Sequence, residues 1–373
     1  MKKTVCLILV LTMALLSLAS CGNKYKPQKS SAEESSTVFV LSAGDNEYEV
    51  KYELYRWLFL THRDSIDGGD RSVWEGPEKD AYIARINAKI LSYATEIFAA
   101  FEMCERIGYN LYSSEVEDKI YEYIRISVEG GTVEGGYYPG CGSYDEYLAL
   151  LRKNYMNYAV QELLFRYAIA IEAIDEYFIG TIDQDDIDSG NVSVGSITYT
   201  KEDVEAFYFG ENSVRVLRHF IQDGIREDTA AYADLVRDRI LSASYLGHDE
   251  VVNTIMGNSN LASASDVRNG FVIGRYNLEE AYYGEMTDYA FALSDGDVSP
   301  AFLVNDGETS GYYILYRAEK TAEHFEECYG SVLYVFLKDK VGEKLHQVKG
   351  ELNDGIMMSQ FYTELNHAKI SMG

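Results

Sequence analysis

The period of the hydrophobic pattern changes near residue 200. Of all features of the sequence, this change restricts the possible fold classes most. Between residues 80 and 107, apolar side chains recur at helical spacing, as in an amphipathic helix that buries one face. After residue 200, residues 214–221 alternate in the manner of a half-buried strand. The pattern predicts an α+β fold, with a largely helical first half followed by a small domain that contains strands.

The first half, residues 38–199, predicts a short strand, a Gly-Asp-Asn turn and four or five helices. Ser114 with Glu117 predicts a capping box at the start of one helix, and Ser143 with Glu146 predicts the start of a long helical run. The final segment, residues 321–373, returns to a helical pattern.

Residues 200–320 predict a compact α+β domain. Thr200 with Asp203 is expected to cap a short helix. The strand at 214–221 then leads into two helices, a strand, a brief helix and two closing strands.

The first 23 residues resemble a bacterial lipoprotein signal. Lys2 and Lys3 precede an apolar run, residues 5–18, that is too short to span a membrane comfortably. Small residues then precede Cys21, as in a lipobox, which implies cleavage before Cys21 and a lipid on its thiol. A plain secretory signal with a coincidental cysteine is the alternative. We therefore expect a signal peptide at 1–20, a flexible polar tether at 21–37 and a body anchored on the extracytoplasmic face of the cell membrane.

The composition excludes several classes of partner. The net charge of −27 at pH 7 disfavours nucleic acid and anionic lipid headgroups, and it favours basic clients. Cys104, Cys141 and Cys328 lack CxxC spacing and the six histidines are scattered, so we expect no metal site and no cofactor. One disulfide among the three cysteines and the oligomeric state are left open.

Within residues 200–320, four segments resemble a parvulin-type (PpiC-type) peptidyl-prolyl isomerase domain. In chain order they are HFIQD at 219–223, GEMTDYAFAL at 284–293, GDVSPAFLVN at 296–305 and SGYYILYR at 310–317. The whole layout is similar to extracytoplasmic foldases of the PrsA and SurA type. That resemblance implies a helical chaperone-like module, built from residues 38–199 and 321–373, with the parvulin-like domain inserted.

The resemblance also implies a site. His219 occupies the first histidine position, Tyr313 stands where the second histidine is expected, and Asn260 falls at the cysteine or aspartate position. These three would form the polar catalytic network. The side chains implied to line a proline pocket are those of Tyr282, Met286 and Ile273.

A membrane-anchored folding factor for unfolded secreted polypeptides is the function that the resemblance implies. Rotation about an X–Pro amide faces a barrier of roughly 18–20 kcal/mol, which an apolar pocket lowers by favouring the twisted amide. With one of the three polar residue types retained, the alternative is a holdase chaperone without isomerase activity. A second alternative, a solute-binding lipoprotein, would show two α/β lobes of repeated strand–helix units.

Overall fold

A computed structural model describes residues 25, 27–133, 136–180, 189–194, 197–224, 227–258, 264–276, 284–305 and 310–373. It shows the α+β fold that the sequence predicts. Contacts divide the chain into two compact units. Unit 1 comprises Met1–Ile174 and Leu345–Gly373, and unit 2 comprises Asp175–Lys344.

Unit 1 combines a three-stranded sheet and a two-stranded sheet with helices. Its longer helices are α1 (Tyr52–Asp67), α2 (Lys79–Arg106), α3 (Ser114–Glu129), α4 (Tyr144–Lys153) and most of α5 (Tyr158–Phe178), whose residues from Asp175 onward belong to unit 2, with a 3-10 turn at Arg71–Trp74. Its strands are β1 (Thr37–Ala43), β2 (Asn46–Lys51), β3 (Gly131–Val133) and β4 (Gly136–Tyr138).

The strand that the sequence predicts near residue 38 is half of an antiparallel hairpin. β1 pairs with β2, whose residues the sequence pattern assigns to a turn and the start of a helix. α3 begins one residue earlier than expected, because Ser113, not Ser114, accepts a hydrogen bond from the amide of Val116. Ser143 caps α4 as predicted, by accepting a hydrogen bond from the amide of Glu146.

The long helical run that starts at residue 143 is two helices, not one. Between α4 and α5, Tyr155 adopts φ 61°, in the left-handed region. The amide of Met156 then donates to the carbonyl of Leu151, which closes the end of α4 and prevents the run from continuing.

Unit 2 contains a two-stranded sheet and a four-stranded sheet. The two-stranded sheet consists of β5 (Asn191–Val194) and β6 (Ile197–Thr200), and the four-stranded sheet of β7 (Ser213–Gln222), β8 (Phe271–Gly274), β9 (Phe302–Asn305) and β10 (Ser310–Ala318). The helices of unit 2 are α6 (Lys201–Phe209), α7 (Thr229–Ser244), α8 (His248–Asn258), α9 (Ala264–Asn269), α10 (Gly284–Ala292), α11 (Ala322–Glu327) and the first part of α12 (Tyr329–Asp354), whose residues from Leu345 onward belong to unit 1. The chain ends with β11 (Met357–Met358), α13 (Gln360–Thr363) and α14 (His367–Ser371), which belong to unit 1.

The predicted order of elements in residues 200–320 agrees with the structure, except that a third, short helix, α9, precedes β8 where the sequence predicts two helices. Thr200 and Asp203 form the expected capping box on α6. The sheet runs β8-β7-β10-β9, and the strand pairs that the structure describes are all antiparallel. Antiparallel pairing does not fit the repeated strand–helix units of a solute-binding lobe.

The predicted boundaries at residues 200 and 320 lie inside unit 2. The ring of Phe336 on α12 lies 4.9 Å from that of Tyr199 and 5.4 Å from that of Phe207. Tyr208 on α6 likewise stacks on His324 and contacts Phe325. These aromatic contacts join the segments before and after the expected parvulin-like domain to it, so they share one compact unit.

Part of the expected tether makes contacts with unit 1. Tyr25 is buried, and its hydroxyl donates a 2.5 Å hydrogen bond to Glu129. The Ser30 hydroxyl donates to Glu53. Cys21, Asn260 and Tyr282 lie outside the described residues. Among the helices that the structure does describe, none has the length and hydropathy that a membrane crossing requires.

Candidate functional site

The two faces of the unit 2 sheet carry different side chains, because successive residues of a strand point to opposite sides. On one face, Leu217 and Ile221 of β7 pack with α7 and α8. On the other, Val214 and Val216 of β7 pack with Met286 of α10. We call these the α7–α8 face and the α10 face.

His219 lies on the α7–α8 face. It sits between Leu217 and Ile221 in the alternation of β7, and its side chain is 2% exposed. Burial lowers the pKa of His219 to about 4, and its Nδ1 has no hydrogen-bond partner in the described part of the chain. The imidazole is therefore neutral at pH 7 and enclosed by apolar neighbours.

Tyr313 lies on the α10 face, opposite to His219. In the β7–β10 ladder, Tyr313 pairs with Phe220, whereas His219 pairs with Ile314. Directly paired residues share a face, so the one-residue offset separates the two side chains by the thickness of the sheet. The His219–Tyr313 network that the resemblance implies is not formed in this structure.

Ile273, Met286 and Tyr313 do come together. Ile273 of β8 and Met286 of α10 are 5% and 2% exposed and belong to one apolar cluster, and Tyr313 packs against that cluster. Ile273 and Met286 are thus part of the apolar core between the sheet and α10, and the half-buried Tyr313 contacts that core. Both predicted pocket positions that the structure describes are thus on the face that carries Tyr313.

Around Tyr313 lies an aromatic patch, which we define as Phe220, Tyr289, Phe302 and Tyr313. The centroid of the Tyr313 ring lies 4.8 Å from that of Phe220 and 6.2 Å from that of Phe302. Tyr289 stacks on Phe302 at 4.3 Å. Phe302 is buried, whereas Phe220, Tyr289 and Tyr313 are half-buried, so these three rings offer apolar area whose faces carry partial negative charge.

The absence of a side chain at Gly311 leaves room for the Phe220 ring in the aromatic patch. A Cβ at position 311 would lie 2.2 Å from Cε2 of Phe220, which no real side chain tolerates. A side chain larger than hydrogen would therefore displace the Phe220 ring from Tyr313.

A cation borders the patch. The guanidinium of Arg218 lies 4.4 Å from the centroid of the Phe271 ring and 5.5 Å from that of Tyr313. Such stacking holds a positive charge against the ring faces.

Sequence reasoning missed Phe220, Phe302 and Arg218 as members of the site. The period-two pattern of β7 does place Arg218 and Phe220 on one face with Val216, so that signal was present. Phe302 joins them only through the β9–β10 and β7–β10 pairings, which together bring it close to β7, about 80 residues earlier in the chain.

The described residues contain no group of three or more histidine, cysteine or acidic side chains arranged to hold a metal ion. Cys104, Cys141 and Cys328 are free thiols, so no disulfide joins them. The aromatic patch is suited to binding apolar side chains.

The class that the fold defines is a two-unit α+β chain with an antiparallel sheet in its second unit. No family model matches the chain, and no curated protein matches it. Two crystal structures of foldase protein PrsA are similar to it at a low level. That from Streptococcus pneumoniae str. Canada MDR_19A has a TM-score of 0.22 and 15% identity, covering 71% of this chain and 83% of that one. That from Lactococcus lactis has a TM-score of 0.22 and 9% identity, covering 90% and 100%. Similarity at this level supports no inference about function.

Proposed function

We propose that this protein is a lipid-anchored, extracytoplasmic folding factor that binds unfolded polypeptides, and that the aromatic patch of unit 2 contacts their proline and other apolar side chains. The observation that carries the proposal is the convergence of Ile273, Met286 and Tyr313 on the α10 face, together with Phe220 and Phe302. Two positions assigned to the proline pocket, Ile273 and Met286, and one assigned to the polar network, Tyr313, thus share one face of the sheet although they come from separate stretches of sequence.

The chemistry of the patch suits a proline ring. Packing the pyrrolidine against aromatic faces removes apolar area from water, worth about 25 cal/mol per Å². An apolar surface also favours the twisted amide, whose charge separation is smaller than that of the planar form. Any lowering of the roughly 18–20 kcal/mol rotation barrier would therefore come from the patch rather than from His219.

Polypeptide binding without isomerisation is the second candidate. The burial of His219 on the α7–α8 face favours this candidate. His219 is the residue that β7 would contribute to the expected polar network, and it lies on the opposite face of the sheet from the patch. The two candidates share the same binding surface and differ only in whether the bound amide rotates faster.

A titration with a proline-containing peptide tests the proposal. We expect the full chain to bind the peptide Ala-Glu-Pro-Phe and Tyr313→Leu to weaken binding about five- to tenfold, since an aromatic contact contributes about 1 kcal/mol. His219→Leu is the matched control and should bind as the wild type does. Equal binding by Tyr313→Leu and the wild type, or no binding by either, would overturn the proposal.

Turnover of the same peptide in a protease-coupled assay separates the two candidates. Turnover that is lost in Tyr313→Leu and kept in His219→Leu would identify an isomerase that works through the patch. Binding without turnover would identify a holdase.

The proposed anchor is tested by Cys21→Ser in cells. We expect the wild-type chain to sediment with membranes and the variant to be released, because a buried acyl chain contributes about 0.8 kcal/mol per methylene. Equal membrane association of both proteins would contradict anchoring through Cys21.

A further inference from the structure

Unit 1 contains a pocket of about 370 Å³ between β2, the end of α2 and the loop that follows it. Four aromatic residues contribute to its wall: Tyr48, Phe101, Tyr109 and Tyr112. The remaining wall is formed by Glu105, Gly108, Asn110 and Leu111. The volume falls within the range of small ligand sites.

The loop that bears Tyr112 is held in place. Arg166 is 4% exposed, donates to the carbonyl of Leu111 and forms ion pairs with Glu117 and Glu162 at 2.9 and 2.7 Å. Its guanidinium also lies 4.7 Å from the centroid of the Tyr112 ring. Tyr112 is nevertheless 70% exposed, so a supported ring remains accessible from the solvent side.

The carboxylates near the pocket differ in their partners. Glu102 is buried and accepts hydrogen bonds from Asn46, Tyr48 and Arg106 at 2.9, 2.8 and 2.7 Å. Glu105 is exposed, and its carboxylate makes no hydrogen bond or ion pair with the residues that the structure describes. The pocket therefore combines aromatic walls with one uncompensated negative charge.

We infer that this pocket binds a lysine or arginine side chain of an extended polypeptide. A cation is attracted both to aromatic ring faces and to a carboxylate, and its aliphatic stem can pack on Phe101 and Leu111. The net charge of −27 would draw basic segments toward the chain from a distance. The inference rests on the proposed function for the claim that the partner is a polypeptide. It adds that unit 1 binds the basic segments of that polypeptide.

The test uses two peptides of serine and glycine that differ at one central residue, arginine or citrulline. Citrulline preserves the shape of the side chain and removes its charge. NMR titration against the full chain suits the millimolar affinity of a single side-chain contact. We expect the arginine peptide to bind about tenfold tighter than the citrulline peptide.

Two variants locate the effect. Glu105→Gln should reduce the preference for arginine to less than about twofold, and Tyr112→Leu should weaken binding of the arginine peptide about fivefold. Glu115→Gln removes an exposed charge of α3 outside the pocket and should change little. Equal binding of the two peptides, or equal effects of Glu105→Gln and Glu115→Gln, would overturn the inference.

These peptides contain neither proline nor an aromatic residue, so they do not probe the aromatic patch of unit 2. Tyr313→Leu should bind the arginine peptide as the wild type does. A failed proline titration with a preserved arginine preference would therefore refute the proposed site in unit 2 and leave the pocket standing, and the reverse pattern would refute the pocket alone.

Discussion

The buried imidazole of His219 makes stability depend on pH at the scale of one residue. Its pKa is about 4 in the folded chain, below the ordinary value of 6.5, because burial penalises the charged form. Below pH 6.5 the unfolded chain binds a proton that the folded chain does not, so stability is lost as the pH falls toward 4. The slope is roughly 1.4 kcal/mol per pH unit.

His219→Leu should remove this dependence. We expect the stability of the variant relative to the wild type to rise by about 2 kcal/mol between pH 7 and pH 5, measured by urea unfolding at both values. The leucine also replaces an Nδ1 that has no partner, so no hydrogen bond is lost. Parallel pH profiles for the two proteins would show that the imidazole is not buried as described.

The aromatic patch depends on a residue that has no side chain. Gly311→Val should displace the Phe220 ring and weaken proline-peptide binding about tenfold, because it separates Phe220 from Tyr313. Gly257→Ala on α8, where a Cβ meets open space, is the control. Unchanged peptide binding by Gly311→Val would exclude Phe220 from the site.

At the scale of elements, two residues of α12, Asp339 and Gly342, lie against Tyr276, which follows the end of β8. Asp339 accepts a 2.6 Å hydrogen bond from the amide of Tyr276, and a Cβ at Gly342 would lie 1.4 Å from the carbonyl oxygen of Tyr276. Gly342→Ala should destabilise the protein by about 1–3 kcal/mol, because the clash is with backbone.

Gly350→Ala is the matched variant on the same helix. Its Cβ meets open space, so it should stabilise the protein by about 0.5–1 kcal/mol through helix propensity. Thermal unfolding of both variants measures the contrast. Equal shifts in Tm would contradict the close approach of Tyr276 to α12.

The start of α3 gives a second matched pair. Ser113→Ala should cost about 1 kcal/mol, since its side chain accepts the amide hydrogen of Val116, whereas Ser114→Ala should be nearly neutral. Urea unfolding measures both. A larger loss of stability in Ser114→Ala than in Ser113→Ala would instead support the cap that the sequence pattern predicts at Ser114.

The type of an element was predictable from the sequence where a periodic pattern or a cap marks it, but its partner in the fold was not. Alternation over residues 214–221 identifies β7, and the capping box at Thr200 identifies α6. The pairing of Tyr313 with Phe220, however, depends on the register of β10, and a shift of one residue reverses the face of every side chain. The position of His219 relative to Tyr313 could therefore not be read from the order of motifs.

At the scale of the whole molecule, the compact units have other bounds than the segments that the sequence pattern distinguishes. The rings of Tyr199, Phe207 and Phe336 meet across more than 120 residues of sequence and extend unit 2 beyond residues 200–320. Aromatic residues recur along the chain, 13% of the total, so composition does not indicate which of them form contacts with one another. Only the three-dimensional packing distinguishes them.

Photo-crosslinking tests the central claim, polypeptide binding on the α10 face of unit 2, most directly. A proline peptide that carries a photoreactive benzophenone beside the proline is irradiated with the full chain, and the modified residues are mapped by mass spectrometry. We predict crosslinks concentrated on the aromatic patch, around Phe302 and Tyr313, and lost on competition with unlabelled peptide. Crosslinks confined to α7 and α8, or scattered and insensitive to competition, would contradict the account.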